Sequence, residues 1–130
     1  MAYNLADIFE ARGTWGLDPV IKEDGTERRL WIQAGLIIPL IKNKKIMRLR
    51  IRRDDPSDGP RYVIISGSGN APLIIGEDRE AVVIVESELD GFLLSQEAGD
   101  LCGVIALGTA TAKPNKETHD LLKAAHLILV

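Results

Sequence analysis

The fold is decided by one stretch of the chain, Ala81-Val82-Val83-Ile84-Val85-Glu86-Ser87-Glu88-Leu89-Asp90. Its short, unbroken run of β-branched residues is typical of a strand buried on both faces, as in a parallel sheet. The segment 87–98 then carries apolar side chains at the spacing of one helix face. We expect Ser87 to be the N-cap of this helix, with Asp90 as the acidic partner of a capping box. Glu86 is thus predicted at the carboxyl end of a buried strand, where ligands collect in open α/β sheets.

The remainder of the C-terminal half repeats this arrangement. A second buried strand is predicted at 102–107, a second helix opening at Pro114 or Asn115, and a third strand at 127–130. The order strand, helix, strand, helix, strand is typical of parallel crossover connections. Because the chain stops inside a run of four aliphatic residues, we expect it to be a piece of a longer protein.

The N-terminal half is predicted to be a mixed or antiparallel β subdomain. A short helix is expected over 4–12, and five strands follow it. The predicted strands are 29–33, 36–41, 46–52, 61–65 and 72–75. Pro39 favours a sheet edge or a bulge for the second of them, because proline cannot donate to a ladder. The hydrophilic segment 76–80 separates two substructures, predicted as 1–78 and 79–130.

Composition places the chain among ordinary globular proteins. Of its 130 residues, 45% are hydrophobic and 27% are charged. No apolar run approaches the roughly 20 residues that a membrane helix needs, and no signal peptide is expected from the first residues. Cys102 is the only cysteine, so no intrachain disulfide can form and a reduced, cytoplasmic setting is expected.

The net charge of −3 is unevenly distributed along the chain. The segment from Lys42 to Arg61 holds eight basic and three acidic residues, a net +5, whereas the rest carries −8. Within it, Arg48, Arg50 and Arg52 alternate with apolar residues, which spaces three guanidinium groups about 7 Å apart on one strand face. A solvated sheet face is the plain interpretation, but the absence of intervening acids favours an anionic partner.

Two stretches of the second half resemble the Toprim domain of bacterial and phage DNA primases. Residues 83–90 resemble its first motif, in which an apolar strand is followed by Glu, usually Gly, two variable residues and Asp. Ser87 stands where the Gly is usual. Residues 106–111 resemble the glycine-threonine turn after the second Toprim strand. The two motifs together, behind a basic subdomain, are more specific than either motif by itself.

The first half is similar to the amino-terminal subdomain of the primase catalytic core. Residues 35–40 match its strand with an apolar-Pro-apolar step. Arg52 stands where that family closes the next strand with arginine, and Arg61-Tyr62 where it has a basic residue before Tyr. The resemblance implies an N-terminal basic β subdomain followed by the first half of a Toprim-like parallel β-α-β-α-β unit.

The activity that this resemblance implies for the full-length protein is RNA primer synthesis in DNA replication. Such synthesis is template-directed, metal-dependent nucleotidyl transfer, and the fragment by itself is expected to be inactive. Glu86 and Asp90 would be the catalytic residues. Glu86 would hold Mg²⁺ or Mn²⁺ together with aspartates of an Asp-x-Asp motif that is expected beyond Val130.

The implied partners are a single-stranded DNA template, an RNA/DNA hybrid and nucleoside triphosphates, with a replicative helicase as a further candidate; no membrane is expected. Six residues are predicted to contact nucleic acid. They are Lys45, Arg48, Arg50, Arg52, Arg61 and Tyr62. The basic side chains would neutralise phosphates without reading sequence, and the tyrosine would stack on a base.

Two other functions fit the same residues. One is the Toprim half of a topoisomerase-like or nuclease-like enzyme. The other is a nucleic-acid-binding module without catalysis, which is motivated by Ser87 and by the missing aspartates. At the level of single residues, Glu86 could be a solvated strand end and Asp90 a helix-cap partner. The glycine-rich segment 66–70 is interpreted as a turn, because no P-loop lysine follows it.

Overall fold

The computed structural model describes residues 7–109 and 112–130. Over this part of the chain the protein is mixed α/β, with three sheets and two α-helices. It divides into two compact units, Met1–Asn70 and Ala71–Val130. The boundary lies earlier than the predicted division at 78, because a short strand before it pairs within the second unit.

The first unit is built from two antiparallel sheets. Its strands are β1 (Ile8–Glu10), β2 (Leu30–Ile32), β3 (Gly35–Lys42), β4 (Lys45–Arg53) and β5 (Tyr62–Ile64). Strands β1 and β2 form a two-stranded sheet, and β3, β4 and β5 form a three-stranded sheet in that order. One face of β4 contributes Leu49 and Ile51 to a buried cluster that also contains Leu30 and Ile32 of β2.

The helix predicted over 4–12 is wrong for the described residues. Ile8–Glu10 is strand β1, and a 3-10 helix, Arg12–Trp15, follows it. The spacing of apolar residues near the start does suit one helix face. Pairing of Phe9 with Trp31 in the antiparallel ladder overrides that local preference.

The β3–β4 hairpin matches its sequence signals closely. Strand β3, which carries Pro39, lies at the edge of its sheet, and the register shifts between Leu40 and Ile41. The sequence predicted one or the other for a strand that contains proline, and the structure has both. Asn43 and Lys44 have φ of 50° and 62°, the left-handed conformation that a two-residue hairpin turn requires.

The second unit contains a four-stranded sheet and both α-helices. Its elements are β6 (Leu73–Ile75), β7 (Ala81–Val85), α1 (Glu88–Ala98), β8 (Gly103–Ala106), α2 (Lys116–Ala124) and β9 (Leu127–Leu129). The strand order is β6-β8-β7-β9. Strand β7 is parallel to both β8 and β9, which confirms the predicted parallel arrangement. The sequence did not reveal that β6 joins this sheet antiparallel to β8.

Helix α1 packs closely on the sheet at Gly91, a buried residue. A Cβ atom at this position would lie 3.2 Å from Cβ of Ala106 and 3.5 Å from Cγ1 of Val104. A side chain at position 91 would therefore push the helix away from β8. None of the described helices is long and apolar enough to span a membrane.

Candidate functional site at the carboxyl end of β7

Glu86 follows β7 directly and is exposed to solvent. Its strand lies between two parallel neighbours, β8 on one side and β9 on the other. From β7 the chain forms β8 on one side of that strand and then crosses to the other side of β7 to form β9. In sheets of this order, ligands bind outside the carboxyl ends of the strands where the direction changes. The expected position of Glu86 at such an edge agrees with this topology.

The glycine-threonine turn meets Glu86 at the same edge. The backbone N–H of Leu107 donates to the carbonyl oxygen of Val85 at 3.0 Å, and that of Gly108 donates to the carbonyl oxygen of Glu86 at 2.7 Å. Gly108 has φ of 90°, a conformation that favours glycine. The two stretches that carry the family resemblance are therefore hydrogen-bonded to each other; positions 110 and 111 of the turn lie outside the described residues.

Ser87 and Asp90 form the cap of α1. The Ser87 hydroxyl oxygen accepts from the backbone N–H of Asp90 at 3.1 Å and donates to Oδ2 of Asp90 at 2.7 Å. This confirms Ser87 as the N-cap. The Asp90 carboxylate accepts from the Ser87 hydroxyl, whereas in a capping box it would accept from the Ser87 backbone N–H. Ser87 has φ of −100°, so serine fits at this position without strain.

Of the two carboxylates at this edge, Glu86 suits the role of one ligand in a metal site. Glu86 is exposed, and Mg²⁺ takes a small number of carboxylates together with waters and phosphate oxygens. Asp90 already binds Ser87 through one oxygen, which favours a positioning role. Over residues 7–109 and 112–130, no three His, Cys, Asp or Glu side chains form a group that could hold a metal ion.

The arginine row of β4 differs from its expected exposure. The side chains of Arg48 and Arg50 are only 2% and 6% exposed, whereas Arg52 is exposed. Their cross-strand neighbours Leu40 and Ile38 are also buried. The expectation of an open row is therefore corrected: alternation assigns the arginines to one face, but that face is covered along much of the strand. Contact of Arg48 or Arg50 with phosphate would require the face to open.

The other predicted nucleic-acid contacts lie at two ends of β4. Arg52 and Tyr62 are direct cross-strand partners, both are exposed, and Arg61 precedes Tyr62 in an exposed bend. Lys45 begins β4 and is exposed, about 23 Å from Arg52 along the strand at roughly 3.3 Å per residue. The structure thus groups Arg52, Arg61 and Tyr62 and separates Lys45 from them. Their nucleic-acid contacts stay predictions.

Arg12 is a buried residue that the sequence did not single out. Its Nε donates to the carbonyl oxygen of Asp18 at 2.7 Å, and its Nη1 donates to that of Ser66 at 2.8 Å. Gly67, with φ of 90°, leaves the space that this guanidinium fills, since a Cβ there would lie 2.3 Å from Nη2. The glycine-rich segment is therefore a turn packed on an arginine. The glycines of segment 66–70 predicted the turn, but no local pattern in the sequence indicated that Arg12 packs against it.

Comparison of the chain with protein-family models, with curated proteins and with solved structures gives no match. The likeness to the primase core therefore stays a prediction from the motifs.

Proposed function

We propose that this chain belongs to a DNA primase-type nucleotidyltransferase, which joins ribonucleotides on a single-stranded DNA template. One observation carries the proposal: an exposed carboxylate, Glu86, follows the central parallel strand and is hydrogen-bonded through its backbone to the turn at Gly108. The resemblance assigns a metal-binding glutamate and a glycine-threonine turn to these two positions. Their contact supports both assignments together, because the motifs lie far apart in the sequence.

Glu86 would hold Mg²⁺ or Mn²⁺ beside the phosphates of a nucleoside triphosphate, with Asp-x-Asp aspartates from further along the natural chain. Such an ion, when bound, neutralises charge that develops on the transferring phosphoryl group. Asp90 would act through Ser87, by fixing the first turn of α1 behind the glutamate. Its role would be that of a positioning residue.

Template and hybrid strands would contact the exposed members of the basic set. Arg52 and Arg61 would neutralise phosphates, and Tyr62 offers a ring for one base. Lys45 would make a separate phosphate contact at the other end of β4. Such contacts are salt-sensitive and independent of sequence, which suits an enzyme that copies many templates. A replicative helicase would supply the single-stranded template.

The test is ribonucleotide incorporation on a single-stranded DNA template by the natural chain that carries these residues. Glu86→Gln should lower the rate by about 100-fold or more, because a catalytic metal supplies several kcal/mol. Glu97→Gln is the matched control, since Glu97 is exposed on α1 away from this edge. Unchanged synthesis by Glu86→Gln, with folding retained, would reject the proposal.

A second candidate function is nucleic-acid binding without catalysis. It is favoured by the engagement of Asp90 in the helix cap, which gives one of the two predicted catalytic carboxylates a structural hydrogen bond. Oligonucleotide binding that needs Arg52, is insensitive to Mg²⁺ and accompanies no nucleotide incorporation would support this function over the first.

A further inference from the structure

An exposed pair of aromatic rings covers the outer face of the β1–β2 sheet. Phe9 and Trp31 are direct cross-strand partners, and their ring planes are 4° apart with centroids separated by 6.3 Å. The two side chains are 60% and 50% exposed. The neighbours of Trp31 on β2, Leu30 and Ile32, are buried on the opposite face. The pair is therefore an exposed, stacked aromatic cluster on a sheet whose other face contributes to the core.

The orientation of the indole is fixed by Asp7. Nε1 of Trp31 donates to Oδ2 of Asp7 at 2.8 Å, and the backbone N–H of Ala34 donates to Oδ1 at 2.8 Å. These hydrogen bonds also lower the pKa of Asp7, with the Ala34 N–H as the larger cause. Because the ring is already oriented, little side-chain entropy is lost when a ligand stacks on it.

Positive charge lies beside the ring pair. Nη2 of Arg29 donates to the carbonyl oxygen of Phe9 at 2.9 Å, which holds an exposed guanidinium against the backbone of the strand that carries the Phe9 ring. The nearby carboxylates accept from indole N–H groups: Asp7 from Trp31, and Glu10 from Nε1 of Trp15 at 2.6 Å. The surface therefore combines two exposed aromatic rings and the cation of Arg29 with two acidic side chains, each of which accepts a hydrogen bond from a tryptophan.

We propose that Phe9, Trp31 and Arg29 form a stacking site for a single-stranded nucleic acid, with bases on the rings and a phosphate on the guanidinium. Stacking on aromatic side chains accepts every base, and an arginine beside the rings complements the backbone charge. This inference rests on the proposed function, because the strand it would hold is the template.

The test uses the whole 130-residue chain with Trp15→Phe, which leaves Trp31 as its only tryptophan. An oligothymidylate of about ten nucleotides should quench Trp31 emission, since single-stranded sites span roughly 4–16 nucleotides. Trp31→Leu and Phe9→Leu keep apolar area and remove a ring. In fluorescence anisotropy each should weaken binding roughly 5- to 150-fold, as expected for one lost stacked base. Arg29→Gln should reduce the salt slope of binding by about 1.

Phe92→Leu is the matched control, because Phe92 is a 40% exposed aromatic residue on α1. The affinity of this variant for the oligothymidylate should be unchanged. Circular dichroism of each variant checks that the fold is retained. Unquenched Trp31 emission with equal affinity in both ring variants would overturn this inference and leave the proposed function standing. Failure of the unsubstituted chain to bind the oligonucleotide would count against both. A dimer in sedimentation that Trp31→Leu dissociates, without oligonucleotide quenching, would assign the rings to a protein contact and overturn the inference.

Discussion

The backbone N–H of Gly108 donates a 2.7 Å hydrogen bond to the carbonyl oxygen of Glu86. This bond lies just past the last paired residues of β7 and β8, Val85 and Ala106. It holds the backbone of the exposed glutamate against a turn whose shape depends on a left-handed glycine. The geometry of the candidate site is thus set by main-chain bonding as well as by the carboxylate.

Gly108→Ala should destabilise the protein by about 1–2 kcal/mol, because φ of 90° is strained for any residue with a Cβ atom. Urea denaturation would measure the change. Gly13→Ala is the control, since a Cβ at Gly13 has nothing within 4 Å and no left-handed backbone is involved. Equal effects of the two substitutions would contradict the account of the turn.

Ser87→Ala should cost about 1 kcal/mol, because the N-cap hydroxyl that accepts from the Asp90 N–H is lost. Ser87→Gly should cost only a few tenths of a kcal/mol, as glycine is tolerated at this position. The free energy of unfolding distinguishes the two variants. A larger loss for glycine than for alanine would show that the hydroxyl is not what stabilises the start of α1.

Arg12→Lys should destabilise the first unit by about 2 kcal/mol, because lysine cannot make both hydrogen bonds to the carbonyl oxygens of Asp18 and Ser66. Thermal unfolding followed by circular dichroism is the measurement. Arg28→Lys, at an exposed position, is the matched control and should change stability by less than about 0.5 kcal/mol. Comparable losses in both variants would refute the structural role of Arg12.

Acidification should weaken the β1–β2 sheet through Asp7. Hydrogen bonds from the Ala34 N–H and the Trp31 indole lower the pKa of Asp7 below its usual 3.8. The folded state therefore binds this proton more weakly than the unfolded state, so the stabilisation is present above about pH 4 and is lost as the pH falls through the lowered pKa. Trp31 emission in Trp15→Phe should report the change, and Asp7→Asn should remove it. Asp100→Asn is the control and should keep the full response, whereas an acid response that survives in Asp7→Asn would point to another group.

The sequence predicted the second unit well because its signals are local. Continuous apolar runs marked β7 and β8, and the N-cap residues Ser87 and Asn115 marked both helix starts. The pairing of β6 with β8 joins segments separated by α1 and could not be deduced from local pattern. The strand at Ile8–Glu10 was missed for the same reason, since its partner lies in β2.

The candidate site was predictable in part. The position of Glu86 followed from a buried strand that ends in a carboxylate. The contact with Gly108 depends on the register of β7 against β8, which the sequence does not specify. Alternation along β4 assigned Arg48 and Arg50 to one face, but it carries no information on whether that face is covered.

The most direct test of the central claim is paramagnetic broadening of backbone amide signals by Mn²⁺, which detects even a weakly held ion. The account predicts selective broadening of the amides of Glu86, Ser87 and Gly108 at low Mn²⁺ concentration. Glu86→Gln should abolish this broadening, and Glu97→Gln should leave it unchanged. Sharp signals for these three amides, or broadening that persists in Glu86→Gln, would contradict the assignment of Glu86 as a metal ligand.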